Sequence, residues 1–488
     1  MKPRLGAASS QKQGFYFSAV PYLISLPLCP GDVFQPAFPV AFMTFLNRFF
    51  QLRENEVPLV LTLSFILLSN SVAQKISEIS AISNFINDVG VSQLLVVWVI
   101  DGLLLLLTTG VQSLLVDRFS RLSLIRGVTL GVAIAYIILR LMFFLGAPNW
   151  LNYALFYLFS QQQAFFLPLV VWLIAGDLFD VAQSKRLFPL ISNWELVGNL
   201  GGIGIAAIAP FLLTALRLPL EELLTINILI YLISLGVIQL GFRKVRFRKS
   251  RQKVEGMKES LTEGWEFVQE VPAFRYLTIA LLSIWICDTI AEFYFLVVSE
   301  AAIANASSYQ TFYSMVVLAR ILGYMAIQGF LTQRILSEMG LKNSFLISPI
   351  ASLTGMLCML GIPGLAGGIS GIFVHKLPLF SVTESSIKTL QSMVPDERRG
   401  RVSIFMDSYL NAGGSVLSCI LMGVIILSSV AIGWGDRAFY LYIPIGVLFG
   451  VLAIWAVFKM REVYDSSLLN WRLKRRQRGK SVLDNIDF

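Results

Sequence analysis

Long apolar runs alternate with short polar clusters along most of this chain. From Val57 onward the apolar runs are about 20 residues long, the length that an α-helix needs to cross the hydrocarbon core of a bilayer. Charged residues gather between the runs, away from their centres. The pattern predicts twelve membrane spans, at residues 57–80, 91–114, 122–145, 150–176, 187–214, 221–242, 273–298, 309–333, 343–362, 366–391, 402–430 and 438–460.

The composition supports an all-α membrane protein. The chain has 488 residues, of which 56% are apolar and 14% are charged. Soluble domains carry about 25% charged residues. These values exclude a soluble enzyme, a disordered tail and a nucleic-acid-binding module. The net charge of +9 requires no acidic partner, because basic loops on the cytoplasmic side of a membrane account for it.

Cysteine and histidine usage excludes several kinds of chemistry. The four cysteines are widely spaced and form no CxxC pair, so neither a zinc ribbon nor a disulfide framework is predicted. His375 is the only histidine, which excludes a site built from several histidines. No nucleophile–base set and no nucleotide-binding fingerprint is visible. We therefore expect no enzyme activity and no cofactor.

The loops alternate in charge. Residues 243–258 contain eight Lys or Arg side chains, residues 459–480 contain eight more, and the basic loops all fall on one side of the predicted membrane. Because basic loops stay in the cytoplasm, both termini are predicted to be cytoplasmic. The short opposite loops suit a bacterial inner membrane. The oligomeric state is not determined by this pattern.

The spans divide into two similar sets of six. Two halves in parallel orientation are typical of major-facilitator transporters. The loop LLVDRFSR at Leu114–Arg121 resembles the Asp-Arg-x-Gly-Arg motif of that superfamily, with Ser120 in place of glycine. Asp117 and Arg118 are expected to brace helix ends during gating, with a plain surface ion pair as the alternative. The predicted units are a leader with a short amphipathic helix (1–56), an N-terminal bundle (57–242), a basic linker (243–272), a C-terminal bundle (273–460) and a basic tail (461–488).

Charged side chains inside the spans are the best guide to a site. One such group near the bilayer centre costs at least ~2.5–3.5 kcal/mol, so it usually faces a cavity or a partner. In a major-facilitator fold, spans 1, 4, 7 and 10 line the central cavity, and most of these groups lie there. The alternative is a set of ion pairs that lock helices together, for example Glu384 with Lys388. The intramembrane polar residues are Lys75, Glu78, Asp101, Arg140, Gln161, Gln162, Asp177, Asp288, Glu292, Arg320, His375, Lys376, Glu384, Lys388 and Asp407.

The segment from Trp172 to Leu190 resembles the ATP/ADP translocase family, the nucleotide transporters of plastids and intracellular bacteria. That family has a Trp, then Ala-Asn-acid, then Val-x-x-Ala-Lys-Arg-Phe-Tyr-Pro-Leu. Two departures concern charge: Gln161 or Gln162 stands where the family has an acid in span 4, and Lys75 with Glu78 stands where it has Arg-x-x-Lys. The matching residues are Trp172, Ala175, Asp177, Val181, Lys185, Arg186, Phe188, Pro189 and Leu190.

This resemblance implies a transporter that moves an anionic solute, such as ATP or ADP, by alternating access. Lys75, Lys376 and Lys388 would bind the anion. Glu292 and Asp177 would gate or couple transport. Lys185 and Arg186 would attract the solute at the cytoplasmic opening. The complete candidate set is Lys75, Gln161, Gln162, Asp177, Lys185, Arg186, Glu292, Lys376 and Lys388 for solute binding, and Asp117, Arg118, Asp288 and Glu384 for gating or coupling.

Two other functions agree with the same sequence. A proton-coupled carrier of another solute would use Asp288, Glu292 and Glu384 as a proton relay. A membrane scaffold without transport activity would dock through the basic linker and tail, and its intramembrane charges would tolerate neutral substitution.

Overall fold

A computed structural model describes residues 56–118, 120–243, 257–392, 394, 396–434 and 437–483. The predicted leader helix before Glu56 and residues 244–256 of the basic linker lie outside these residues. Within the described part, twelve helices are long and apolar enough to cross a membrane, as predicted. In chain order, spans 1 to 12 are Val57–Asp88, Val91–Thr108, Arg121–Phe144, Asn149–Leu178, Arg186–Ala215, Leu223–Gly241, Pro272–Ala302, Ala306–Met339, Leu341–Gly361, Leu365–Gln391, Gly400–Ala431 and Phe439–Ser467.

Several helices are longer than the apolar pattern predicts. Span 1 continues to Asp88, beyond its predicted end at residue 80, and this helix carries several buried serine and asparagine side chains. These polar groups bond to their own helix: Ser77 Oγ donates to the Ala73 carbonyl at 2.7 Å, and Asn84 Nδ2 donates to the Ser80 carbonyl at 2.7 Å. Such bonds allow polar side chains to stay inside a helix. The helix of span 12 likewise continues to Leu483, through most of the predicted tail.

Part of the predicted linker is a helix that packs on the C-terminal half. This linker helix runs from Met257 to Glu270. Phe267 and Val268 are buried in the same apolar cluster as Phe274 at the start of span 7. The later part of the segment between the halves is therefore attached to the second half by ordinary apolar burial.

The two halves have matching internal arrangements. Span 1 packs against spans 4, 5 and 6, and span 7 packs against spans 10, 11 and 12. Spans 1 and 7 are the most buried of the twelve. The halves meet where span 2 packs on span 11 and where span 5 packs on span 8. With an even number of crossings, Val57 and Ser467 lie on one membrane face, called here the terminal face.

Glycines bring spans 1 and 5 into close contact. A Cβ at Gly198 would lie 2.5 Å from the Leu68 carbonyl oxygen, and one at Gly202 would lie 2.6 Å from the Val72 carbonyl oxygen. The four-residue spacing places both glycines on one face of span 5. This is the small-residue packing that allows membrane helices to approach each other backbone to backbone.

Three spans of the C-terminal half contain a π-helical turn. The turns are Gln328–Thr332 in span 8, Leu379–Thr383 in span 10 and Phe405–Tyr409 in span 11. A π turn inserts one extra residue and changes the rotation of the helix beyond it. These turns therefore change which of the following side chains in spans 8, 10 and 11 face the centre of the molecule.

Candidate functional site

A cavity of about 300 Å³ lies between the two halves. Spans 1, 2 and 4 of the first half and spans 7, 8, 10 and 11 of the second half all contribute to its walls. A volume of this size is at the lower end of the range for small-molecule sites. The lining residues are Glu78, Ile82, Trp98, Asp101, Gly102, Leu105, Tyr157, Gln161, Phe165, Trp285, Asp288, Thr289, Glu292, Tyr313, Arg320, Lys376, Phe380, Asn411, Ala412 and Ser415.

The second half contributes a network of buried charges. Asp288 and Glu292 are four residues apart and therefore lie on one face of span 7. Lys376 Nζ lies 3.0 Å from a carboxylate oxygen of each of them. Arg320 Nη1 of span 8 lies 2.8 Å from Glu292 Oε2. Two carboxylates thus balance two cations, and all four side chains are only slightly exposed, between 11% and 14%.

His375 contacts this network through Asp288 and lies outside the cavity wall. Its side chain is fully buried, with Nε2 3.1 Å from Asp288 Oδ1 and Nδ1 3.0 Å from Ser352 Oγ. The histidine therefore connects span 9 to span 7 and orients Asp288 toward the cavity. It is not itself among the lining residues.

The first half contributes two carboxylates with different partners. Glu78 accepts hydrogen bonds from Lys75 Nζ at 2.6 Å and from Gln74 Nε2 at 2.9 Å. Asp101 accepts one longer bond, 3.3 Å, from Gln162 Nε2. Among the described residues, Asp101 has no cation within 4 Å, whereas Glu78, Asp288 and Glu292 each have at least one.

Aromatic rings form much of the remaining wall. Trp285 and Phe380 stand 6.3 Å apart with their planes at 65°, and Lys376 Nζ lies 5.5 Å from the centre of the Phe380 ring. The second half thus already contains a cation–π contact inside the cavity. The six lining aromatics are Trp98, Tyr157, Phe165, Trp285, Tyr313 and Phe380.

Four of the predicted site residues meet at this cavity: Gln161, Asp288, Glu292 and Lys376. Two more lie directly behind it, since Lys75 is paired with Glu78 and Gln162 with Asp101.

Other predicted residues lie elsewhere. The Lys388 side chain is 55% exposed and its Nζ lies 2.5 Å from Asp407 Oδ2, so it forms an ion pair with Asp407 instead of lining the cavity as predicted. The alternative partner from the sequence, Glu384, is not the one it contacts. Neither Lys388 nor Glu384 is among the cavity-lining residues. Span 10 separates them from Lys376 by the π turn Leu379–Thr383, which changes the direction that the following residues face.

The candidates at the terminal face form local ion pairs. Asp177 Oδ2 at the end of span 4 lies 2.8 Å from Arg121 Nε. Arg186 Nη2 donates to both carboxylate oxygens of the buried Glu56 at 2.8 Å. Both pairs are within the first half, where they connect helix ends. The side chains of Asp117, Arg118 and Lys185 lie outside the described part of the structure.

The sequence marks three charged cavity residues, Glu78, Asp101 and Arg320, only as intramembrane charges without a role. Arg320 and Asp101 lie in spans 8 and 2, outside the four spans that were expected to line the cavity. Their charge in an apolar run was the correct signal. Only the packing of the halves shows that spans 2, 8 and 11 also reach the centre.

The halves are hydrogen-bonded to each other away from the terminal face. Gln310 Nε2, near the start of span 8, donates to the Ala206 carbonyl at 2.9 Å. The neighbouring Thr311 Oγ1 donates to the Ala207 carbonyl at 3.1 Å. These bonds join spans 8 and 5 between the cavity and the opposite face.

The carboxylates of the cavity do not form a metal centre. In the part of the chain that the structure describes, no three His, Cys, Asp or Glu side chains come together in a way that could hold a metal ion.

Solved structures of transporters share this architecture. No protein-family model and no curated protein sequence matches the chain. The nucleoside transporter NupG superposes with a TM-score of 0.57 and 14% identity, over 83% of this chain and 99% of that chain. A bacterial homologue of the iron transporter ferroportin, in its inward-facing state, superposes with a TM-score of 0.58 and 13% identity, over 84% of this chain and 100% of that chain. An autoinhibited POT family peptide transporter superposes with a TM-score of 0.58 and 12% identity, over 82% of this chain and 96% of that chain.

At these identities the comparisons establish the fold and no more. They do not confirm the resemblance to ATP/ADP translocases. Together with the twelve apolar helices, they show that this chain is a multi-pass integral membrane protein with the major-facilitator fold of two six-helix halves.

Proposed function

We propose that the protein is a transporter that carries a small organic solute through its central cavity by alternating access. The observation that carries this proposal is that both halves contribute charged and aromatic side chains to one cavity. Buried charges are costly in a membrane, and a solute path is the usual reason that such groups face a cavity. The neighbouring structures, which are transporters of nucleosides, iron and peptides, support the same function class.

In this account the two halves rock about the cavity. The hydrogen bonds from Gln310 and Thr311 to span 5 close the path toward the opposite face. The solute would then exchange through the terminal face, and the closed side would open when these bonds break. Lys376 is paired with both Asp288 and Glu292. A bound solute could therefore displace one of these carboxylates from Lys376, and Lys376 would stay paired with the other.

ATP/ADP antiport is the second candidate. It is favoured by the two cations Arg320 and Lys376, which approach the same carboxylate of Glu292, and by aromatic rings on which a base could stack. The cations of this cavity are already paired with acids, however, and a triphosphate needs several cations to offset its charge. A neutral or singly charged solute therefore fits the charge balance better. Proton coupling is compatible with either cargo.

A thermal-shift screen followed by uptake tests the proposal. Purified protein would be screened against nucleosides, nucleotides including ATP and ADP, peptides and organic amines, since a bound ligand raises the unfolding temperature. Solutes that stabilise the protein would then be tested, in labelled form, for uptake into proteoliposomes. Lys376→Ala should abolish the stabilisation, and the surface variant Lys342→Ala should retain it. If none of these solutes stabilises the protein or enters the vesicles, the proposal is wrong.

A further inference from the structure

Asp101 is the one carboxylate of the cavity whose charge is not balanced within the described residues. Glu78, Asp288 and Glu292 each lie within 3.0 Å of a lysine or arginine nitrogen. Within the part of the chain that the structure describes, the only polar partner of Asp101 is the Gln162 amide, at 3.3 Å. A hydrogen bond from a neutral amide at this distance offsets little of the cost of holding a carboxylate away from water.

The positions around Asp101 do not supply the missing charge. Span 1 presents Glu78, and span 7 presents Asp288 and Glu292, each with its own cation. Span 4 presents Tyr157 and Gln161. Span 11 contributes the neutral Asn411, Ala412 and Ser415. The cavity cations of spans 8 and 10, Arg320 and Lys376, are already paired with Glu292 and Asp288. The other charged residues that line the cavity are thus either acids or cations already bound to acids.

The walls beside Asp101 are suited to a cation that carries an apolar body. Trp98 precedes Asp101 by one helical turn and also lines the cavity. Tyr157 lines the cavity from span 4, the same span whose Gln162 donates to Asp101. Aromatic faces attract organic cations, most strongly where water is excluded. The contact between Lys376 and Phe380 shows the same interaction in the other half of this cavity.

We propose that Asp101, with Trp98 and Tyr157, is the binding subsite for the positively charged group of an organic solute. The solute class is a monovalent organic cation, such as an aromatic amine or a pyridinium. A single positive charge would balance Asp101 and leave the ion pairs of the second half in place. This inference rests on the proposed function for its biological use, but the binding itself does not depend on transport.

The test compares a cation with a neutral molecule of nearly the same shape. N-methyl-4-phenylpyridinium and 4-phenylpyridine would be titrated into the purified full-length protein by calorimetry at a pH at which the second compound is uncharged. The wild type should bind the cation about tenfold or more tightly than the neutral compound. Asp101→Asn should reduce this ratio to about one, and Asp101→Glu should retain a clear preference for the cation.

Glu338→Gln is the matched control, because it removes one carboxylate from an exposed site that is paired with Arg334. It should leave the preference unchanged. Size-exclusion profiles and unfolding temperatures would show that the variants are folded. The subsite is disproved if the wild type binds both compounds equally or binds neither, or if Asp101→Asn keeps the preference. Proton uptake at Asp101 without binding of the cation would also overturn it.

The same probes separate this inference from the transporter proposal. If the cation binds at Asp101 but is not taken up by proteoliposomes, the subsite is correct and the transport proposal loses support. If other solutes are transported and the cation does not bind, the subsite is wrong and the transport proposal remains.

Discussion

Arg320 of span 8 donates a 2.8 Å hydrogen bond to Glu292 of span 7, inside the cavity that separates the two halves. Both side chains are almost fully removed from solvent, with exposures of 11% and 14%. Each therefore depends on the other for its charge balance, with Lys376 as the second cation beside Glu292. This pair links the fold to the proposed function, because the same groups hold helices together and face the solute path.

Glu292→Gln should destabilise the protein by about 3–5 kcal/mol, because it leaves Arg320 buried without its carboxylate. The double variant Glu292→Gln with Arg320→Gln should recover much of the loss, since no unpaired charge remains. The measurement is the unfolding temperature of the purified proteins in detergent. A double variant that is less stable than the single variant would contradict the pairing.

The two lysines of span 10 should behave differently. Lys376→Met should cost about 3–5 kcal/mol, since it leaves two buried acids short of a cation. Lys388→Met should cost no more than about 1 kcal/mol, because its side chain is 55% exposed and surface ion pairs contribute little. Thermal unfolding of both variants checks this order. Equal losses would place Lys388 in the buried network.

Substitution of the close-packed glycines should loosen the first half. Gly198→Ala and Gly202→Ala should each destabilise the protein by about 1–3 kcal/mol, because the added methyl group meets the backbone of span 1. Gly204→Ala on the same helix is the control, since nothing lies within 4 Å of its Cβ position. If Gly204→Ala is as harmful as the other two, steric contact with span 1 is not the cause.

The orientation in the membrane is also testable. The basic linker and tail predict that the terminal face is cytoplasmic. Fusion of a fluorescent protein that folds only in the cytoplasm to Phe488 should give fluorescent cells, and fusion of alkaline phosphatase at the same residue should give no activity. The reverse pair of results would show that the charge pattern of the loops does not set the topology.

The sequence predicts the fold well because its signals are local. Span length depends on apolar runs, and the position of Asp288 and Glu292 on the same face of span 7 follows from helical spacing alone. Contacts between side chains of different spans cannot be predicted from such local signals. Lys376 and Lys388 are equally basic in sequence, but Lys388 lies about 18 Å further along span 10. The packing of the spans, with the π turn between the two lysines, places Lys376 in the cavity and leaves Lys388 outside it.

The same reasoning explains why Asp101 had no predicted role. Its charge was visible, but its importance comes from the cations that are missing around it. That property depends on spans 1, 4, 7 and 11 together.

The central claim is that a water-accessible cavity lies between the two halves, and cysteine labelling tests it most directly. In a background without the four native cysteines, a charged, membrane-impermeant thiol reagent would be applied to Ser415→Cys, Leu417→Cys and Ser418→Cys. Ser415 lines the cavity, Leu417 is 42% exposed on the apolar outside of the bundle, and Ser418 is fully buried. We predict rapid labelling at position 415 and little at positions 417 and 418. Labelling at position 415 that is no faster than at the other two would contradict the account.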